Sequence, residues 1–169
     1  NITEIEAVQN TIRWIMERAG EWPNAISNGT ILMIEKFYDA QISNIPENAT
    51  HFSAKIYKWL NASDFSAVSY SVNHCFNFIK GWKQIIQLLL SDQTPIPLKK
   101  ILEDAKQIID KNELSLIHES TEFKKLTEKE LLQLGYFLTF RFKHSMHQLL
   151  HHHAQLDAWQ GMASAVTKH

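Results

Sequence analysis

The sequence predicts an all-α protein, a four-helix bundle core with one or two accessory helices. Three observations predict it. Apolar residues recur at helical spacing through most of the chain. Glycine and proline are scarce, 5 and 4 in 169 residues, as suits few long helices with few tight turns. No alternating strand pattern, hairpin dipeptide or internal repeat interrupts them.

The elements follow in order. Thr3 and Glu6 have capping-box spacing at the start of a first helix with Ile5, Val8, Ile12, Ile15 and Ala19 on its apolar face and Gly20 as a C-cap. Trp22-Pro-Asn24 and Ser27-Asn-Gly29 are turn material. A second helix over about 30–43 turns Ile31, Ile34, Phe37, Tyr38 and Ile42 inward, and Asn44-Ile-Pro46 ends it because proline lacks a donor and restricts its predecessor. A short helix over 51–60 carries Phe52, Ile56 and Trp59. The helix over about 65–90 buries Val68, Val72, Cys75, Phe78, Ile79, Trp82, Ile86 and Leu89, with His74 at the stripe's edge. Gln93-Thr-Pro-Ile-Pro97 is a linker to a helix over 98–111 with Ile101, Leu102, Ala105, Ile108 and Ile109. Residues 112–126 read as a loop with one helical turn. Thr127 and Glu130 form a second capping box that opens a final helix over about 128–162, closing near Gly161. The reading is one domain, 1–169, with its bundle core over about 30–162 and an accessory helix over 1–20.

Bulk properties narrow the function classes. The chain is 44% hydrophobic and 21% charged, ordinary for a globular domain, with 17 basic and 18 acidic residues and a net charge of −1. That balance argues against a nucleic-acid partner, which would call for a basic excess. No apolar run approaches the roughly 18 residues of a membrane span, so no membrane is expected, and the reading places the protein in the cytoplasm. A single cysteine, Cys75, excludes an intrachain disulfide framework. The chain lacks an initiator Met, as a piece of a longer or processed protein would. Asn1, Asn28, Asn48 and Asn61 head N-x-S/T triplets, which in a secreted helical cytokine-like protein would be glycan sites.

The final helix concentrates the chemistry, with five of nine histidines between residues 144 and 153. At about 100° per residue, Leu131, Leu134, Leu138, Phe142, Leu149 and Leu156 form one stripe. Arg141, Ser145, Gln148 and His152 fall inside it or on its edge. His144, His147 and His151 lie round one flank, and His153, with Asp157 one turn on, round the other. Polar groups in a core stripe are costly unless hydrogen bonds, a metal or a wet cleft satisfy them.

One candidate site therefore pairs His74 with His152, supported by Gln148, Ser145 or His151, since bundle cores build metal sites from facing helices and neutral imidazole suits zinc, nickel, iron or copper. The plainer reading of the same residues is hydrogen-bonded histidines at the core edge. His147 and His151, one turn apart, could chelate an ion on the helix surface; a solvated face is the plainer reading there too. Gln148 stands where a zinc protease's HExxH motif has its glutamate, so that motif is missing. Cys75, mid-stripe, reads as a small hydrophobe rather than a nucleophile. The aromatics Trp59, Trp82, Trp159, Phe78 and Phe142 read as core. Arg141, on the core face, is a candidate contact for an acidic side chain or a substrate anion.

Two stretches carry a family resemblance. His151-His-His-Ala-Gln-Leu156 resembles the His-His-Arg-Gly-Gln-Leu signature in the last long helix of the DinB/YfiT-like superfamily, and Asn73-His-Cys-Phe-Asn-Phe-Ile-Lys-Gly-Trp82 resembles that family's second-helix segment. The resemblance spans about residues 30–162. It implies a four-helix bundle, often a homodimer, with a divalent metal (zinc, nickel or iron) held by three histidines. His74 matches the second-helix ligand and His152 the distal ligand of the last helix, whereas Gln148 stands at the proximal ligand position, leaving the triad incomplete. His153-Ala154 replaces the signature's Arg-Gly. The enzyme this implies is a metal-dependent hydrolase or thiol transferase, with His74 and His152 as ligands, Arg141 and Ser145 toward substrate, and the metal activating a water or thiol. The alternative is a non-catalytic helical module binding a protein or small ligand, with His74, Gln148 and His152 left as a polar network around a degenerate metal site.

Overall fold

The computed structural model describes residues 2–24, 26–40, 42 and 44–166. Among them every regular element is helical: α1 (Ile2–Met16), α2 (Asn28–Asp39), α3 (His51–Leu60), α4 (Ala62–Leu89), α5 (Ile96–Ile109), α6 (Ser115–Glu119), α7 (Glu128–Phe140) and α8 (Lys143–Val166), with short 3-10 turns at Ala19–Glu21, Asn112–Leu114 and Phe123–Lys125. Residues 112–126 thus hold one short helix between two turns. No described helix is long and apolar enough to cross a membrane. Asn1, which heads the first triplet, and the Ser43 end expected for the second helix lie outside the described residues.

α4 is the central element. Its predicted stripe is buried throughout, with Trp82, Phe78 and Ile79 fully enclosed. α2, α5 and α7 pack around it, while α1 packs on α8 and α5. Long-range polar contacts fix the ends of this arrangement. Trp14 Nε1 donates to Leu89 O at 3.1 Å, tying α1 to the end of α4. Tyr38 Oη donates to Leu138 O at 3.0 Å, tying α2 to α7.

Local chemistry sets the boundaries. The Thr127–Glu130 capping box forms as its spacing predicts: Glu130 N donates to Thr127 Oγ1 at 3.3 Å, and Thr127 N to Glu130 Oε2 at 2.8 Å. A second capping box, Thr50–Ser53, starts α3. Ser27 accepts from Thr30 N and starts α2. Pro97 sits in the first turn of α5, where its missing N–H costs nothing. At the N-terminus, by contrast, α1 already begins at Ile2, so Thr3 lies within the helix instead of capping it.

Three expectations are corrected. α1 buries Thr11 and Ile15 and leaves Ile5 and Val8 exposed, so its inner face is turned from the one the isoleucines mark. Packing against α8 and α5 selects that face, and Thr11 is tolerated there because its hydroxyl donates to Ala7 O at 2.9 Å.

The second correction concerns the final helix, which is two helices. Arg141 N and Phe142 N both donate to Phe137 O, at 2.9 and 3.0 Å, ending α7; Met146 N to Phe142 O then begins α8. Phe142 is fully buried against Phe137, ring centroids 5.5 Å apart. Arg141 is therefore at a corner, side chain mostly exposed and bonded to Glu47, not on the core face. α8 also runs through Gly161 to Val166 instead of closing there.

The third correction is Trp59. It is 81% exposed, and Phe52 on the same helix 76% exposed. α3 packs on α7 and α4 through Ala54, which is fully buried, with Ser53 and Tyr57 half-buried beside it. The small alanine allows close approach, so the bulky face points away.

Candidate functional site

Beyond the break at Arg141–Phe142 the predicted Phe142, Leu149 and Leu156 stay inward and the buried face widens around them. From there the buried positions are Phe142, Ser145, Met146, Leu149, His153, Leu156 and Ala163. Phe142, Met146, Leu149, His153 and Leu156 are spaced four, three, four and three apart, one inward face of a helix that packs on α1 and, less extensively, on α5. At about 100° per residue His153 lies about 20° round from Phe142, on the rim of the stripe marked by Phe142, Leu149 and Leu156, and packing against α4 encloses it.

His153 is consequently the enclosed histidine of this cluster, 9% exposed. Its ring lies 5.9 Å from Phe78 and 6.4 Å, edge-on, from Trp82. Burial lowers its pKa, and Asp157, one turn on, partly opposes that shift. The Trp82 Nε1–H beside it is buried without a hydrogen-bond partner. The histidine with no place in the expected metal triad thus joins α8 to α4.

The other predicted residues are distributed. Ser145, Gln148 and His152 come together in a cleft of about 380 Å³ between α5 and α8, lined also by Asp104, Gln107, Ile108 and Lys111. Lys111 Nζ donates to Ser145 Oγ at 3.0 Å and stands 5.5 Å over the Phe142 ring. His152 Nδ1 is buried with no hydrogen-bond partner. His74 is not among the residues of that cleft. Its ring packs edge-on against Tyr70, centroids 4.7 Å apart, and partial burial lowers its pKa. His147 is exposed with its ring 5.6 Å from Tyr38, and His151 is exposed beside His152. Arg141 lines a different cleft, about 280 Å³, with Glu47, Asn48, Glu113 and Gln133.

These groups do not fit a resident divalent cation. The α5–α8 cleft offers one imidazole, one carboxylate and two amides, too few strong ligands for a closed site, and the Lys111 ammonium, at hydrogen-bond distance of Ser145, lines the same cleft. Among the described residues no three His, Cys, Asp or Glu side chains are close enough to hold one ion. Cys75 is fully enclosed, and burial pushes its thiol up to about 12, so it is no thiolate nucleophile at neutral pH.

A surface that the histidine pattern does not signal is the outer face of α3. Phe52, Ile56, Trp59 and Leu60 are 76%, 39%, 81% and 64% exposed. At about 100° per residue they share an arc of about 100°. His51, Lys55 and Lys58 border one side of it, and α3 contains no acidic residue. Lys58 is bonded to Glu128 at 3.1 Å. The i, i+4, i+7, i+8 spacing was legible in the sequence; that nothing covers it was not.

No family model matches the chain, and neither a curated protein nor a solved structure matches it.

Proposed function

We propose that this protein is a non-catalytic helical interaction module, a four-helix bundle core built on α4 with shorter helices around it, that docks a partner protein against the outer stripe of α3. One observation carries the reading. Four large apolar side chains, two of them aromatic and more than three-quarters exposed, lie side by side on a well-capped helix. Single exposed apolar residues are ordinary, but a contiguous set is a common mark of an interaction site, and aromatic anchors dominate binding energy in such patches. The lysine border, with Lys55 unbonded among the described residues, matches a partner with an acidic rim. An antiparallel, two-fold pairing with a second copy would set basic border against basic border, which disfavours that occupant.

Calorimetry with a synthetic amphipathic peptide, leucine on one face and glutamate on its flanks, tests this. Wild type should bind, Phe52→Ser/Leu60→Ser should lose at least tenfold in affinity, and Lys55→Glu should lose less. The proposal is overturned if wild type ignores the peptide, if the double variant binds as well, or if only anionic vesicles or self-association titrate the stripe.

A further inference from the structure

The cleft between α5 and α8 has two chemically different ends. Ser145 and His152 are seven residues apart on α8, about 10.5 Å along its axis at 1.5 Å per residue. Lys111 is bonded to Ser145, and Asp104 lines the same cleft of about 380 Å³. Were α5 parallel to α8, Asp104 would lie on the order of 20 Å from His152, too far to share so small a space. The two helices are therefore antiparallel here, and Asp104 faces the His152 end. Gln107 and Gln148, each three residues inward from its own end, lie between.

From one end to the other the cleft runs ammonium and hydroxyl, then two carboxamides, then carboxylate and imidazole. Among the described residues neither Lys111 nor Asp104 is in an ion pair. Both charges are thus available to a ligand. A carboxylate suits the Lys111–Ser145 end, where an ammonium and a hydroxyl converge. A protonated amine suits Asp104. Each glutamine presents one acceptor and two donors, the complement of peptide C=O and N–H groups. Three extended residues reach about 10 Å, which matches the separation of the two ends.

We infer that the α5–α8 cleft binds a short peptide with both termini free, its C-terminal carboxylate on Lys111 and Ser145 and its N-terminal amine on Asp104. The site is separate from the α3 stripe and independent of it. Part of its residue set, Ser145, Gln148 and His152, is what the sequence marks as polar positions on the core-facing side of the last helix; the inference gives those positions a ligand that needs no metal.

Titration of the full chain with trialanine, N-acetyl-trialanine and trialanine amide, followed by calorimetry or by NMR shifts of the Gln107 and Gln148 side-chain amides, tests the inference. Trialanine should bind, and blocking either end should weaken binding at least tenfold. Asp104→Asn should bind trialanine and its N-acetyl form alike, and Lys111→Met should bind trialanine and its amide alike. Both positions are solvent-accessible, so the fold should survive, and unchanged thermal unfolding checks that. Absence of trialanine binding at millimolar concentration overturns the inference. So does equal binding of the blocked peptides by wild type, or an unaltered preference in either variant.

Discussion

Gly135 brings α7 close against Val68 and Val72 of α4, and replacing it with alanine separates two opposing effects. A Cβ built there would lie 2.7 Å from Val68 Cγ1 and 3.5 Å from Val72 Cγ2. Val68 is fully buried, and a β-branched side chain in a helix has one strongly preferred χ1, so its methyl cannot swing aside. Relief must come from moving α7 off α4 or from an off-rotamer valine, at about 1–3 kcal/mol. Alanine gains about 1 kcal/mol over glycine in a helix interior. The net expectation is a loss of about 1 kcal/mol, read in urea as a midpoint lower by about 0.5 M at a slope near 2 kcal/mol/M. The decisive assay is a double-mutant cycle with Val68→Ala. Val68→Ala alone should cost roughly 2 kcal/mol, two methyl groups plus the cavity they leave. In that background Gly135→Ala should reverse sign and stabilise by about 1 kcal/mol, since the obstructing methyl is gone. A stabilising Gly135→Ala in the wild-type background would refute the reasoning, showing that the interface yields and helix propensity governs.

Other measurements probe the buried chemistry. His153 has a lowered pKa in the folded state, so below the ordinary value near 6.5 the unfolded chain binds the extra proton. Its contribution is intact above that value and is lost as pH falls from there toward the folded pKa. The melting temperature of wild type should thus drop between pH 7.5 and 5.5 more steeply than that of His153→Phe, and parallel pH profiles would contradict this. The Cys75 thiol should react with a disulfide reagent only at the rate of global unfolding, accelerating with urea; fast labelling in buffer would show that the α4 stripe opens locally. Trp82→Ala should cost about 3–5 kcal/mol as a fully enclosed side chain, whereas Trp59→Ala should cost less than about 1.5 kcal/mol, and comparable losses in chemical denaturation would mean that α3 is covered after all.

What the sequence alone determined is what depends on local spacing. The helical class, the α4 stripe from Val68 to Leu89, the α5 stripe and the Thr127 cap were all legible, because apolar period and capping chemistry act within a few residues. The candidate site was legible only in part. Ser145, Gln148 and His152 read as polar positions on or beside the core-facing stripe of the last helix; Ser145 is buried, His152 half-buried and Gln148 exposed, and all three line one cleft. Lys111 and Asp104, which complete it, carry no local signal, since their proximity depends on how α5 meets α8. Tertiary structure decided the rest. A corner at Arg141 took that side chain out of the core, and packing of α8 near α4 enclosed His153 beside the predicted Leu149 and Leu156. The close approach through Ala54 chose which face of α3 packs, leaving Trp59 outside. An apolar stripe is a property of one helix, but its burial is a property of two, and periodicity contains no information about the second.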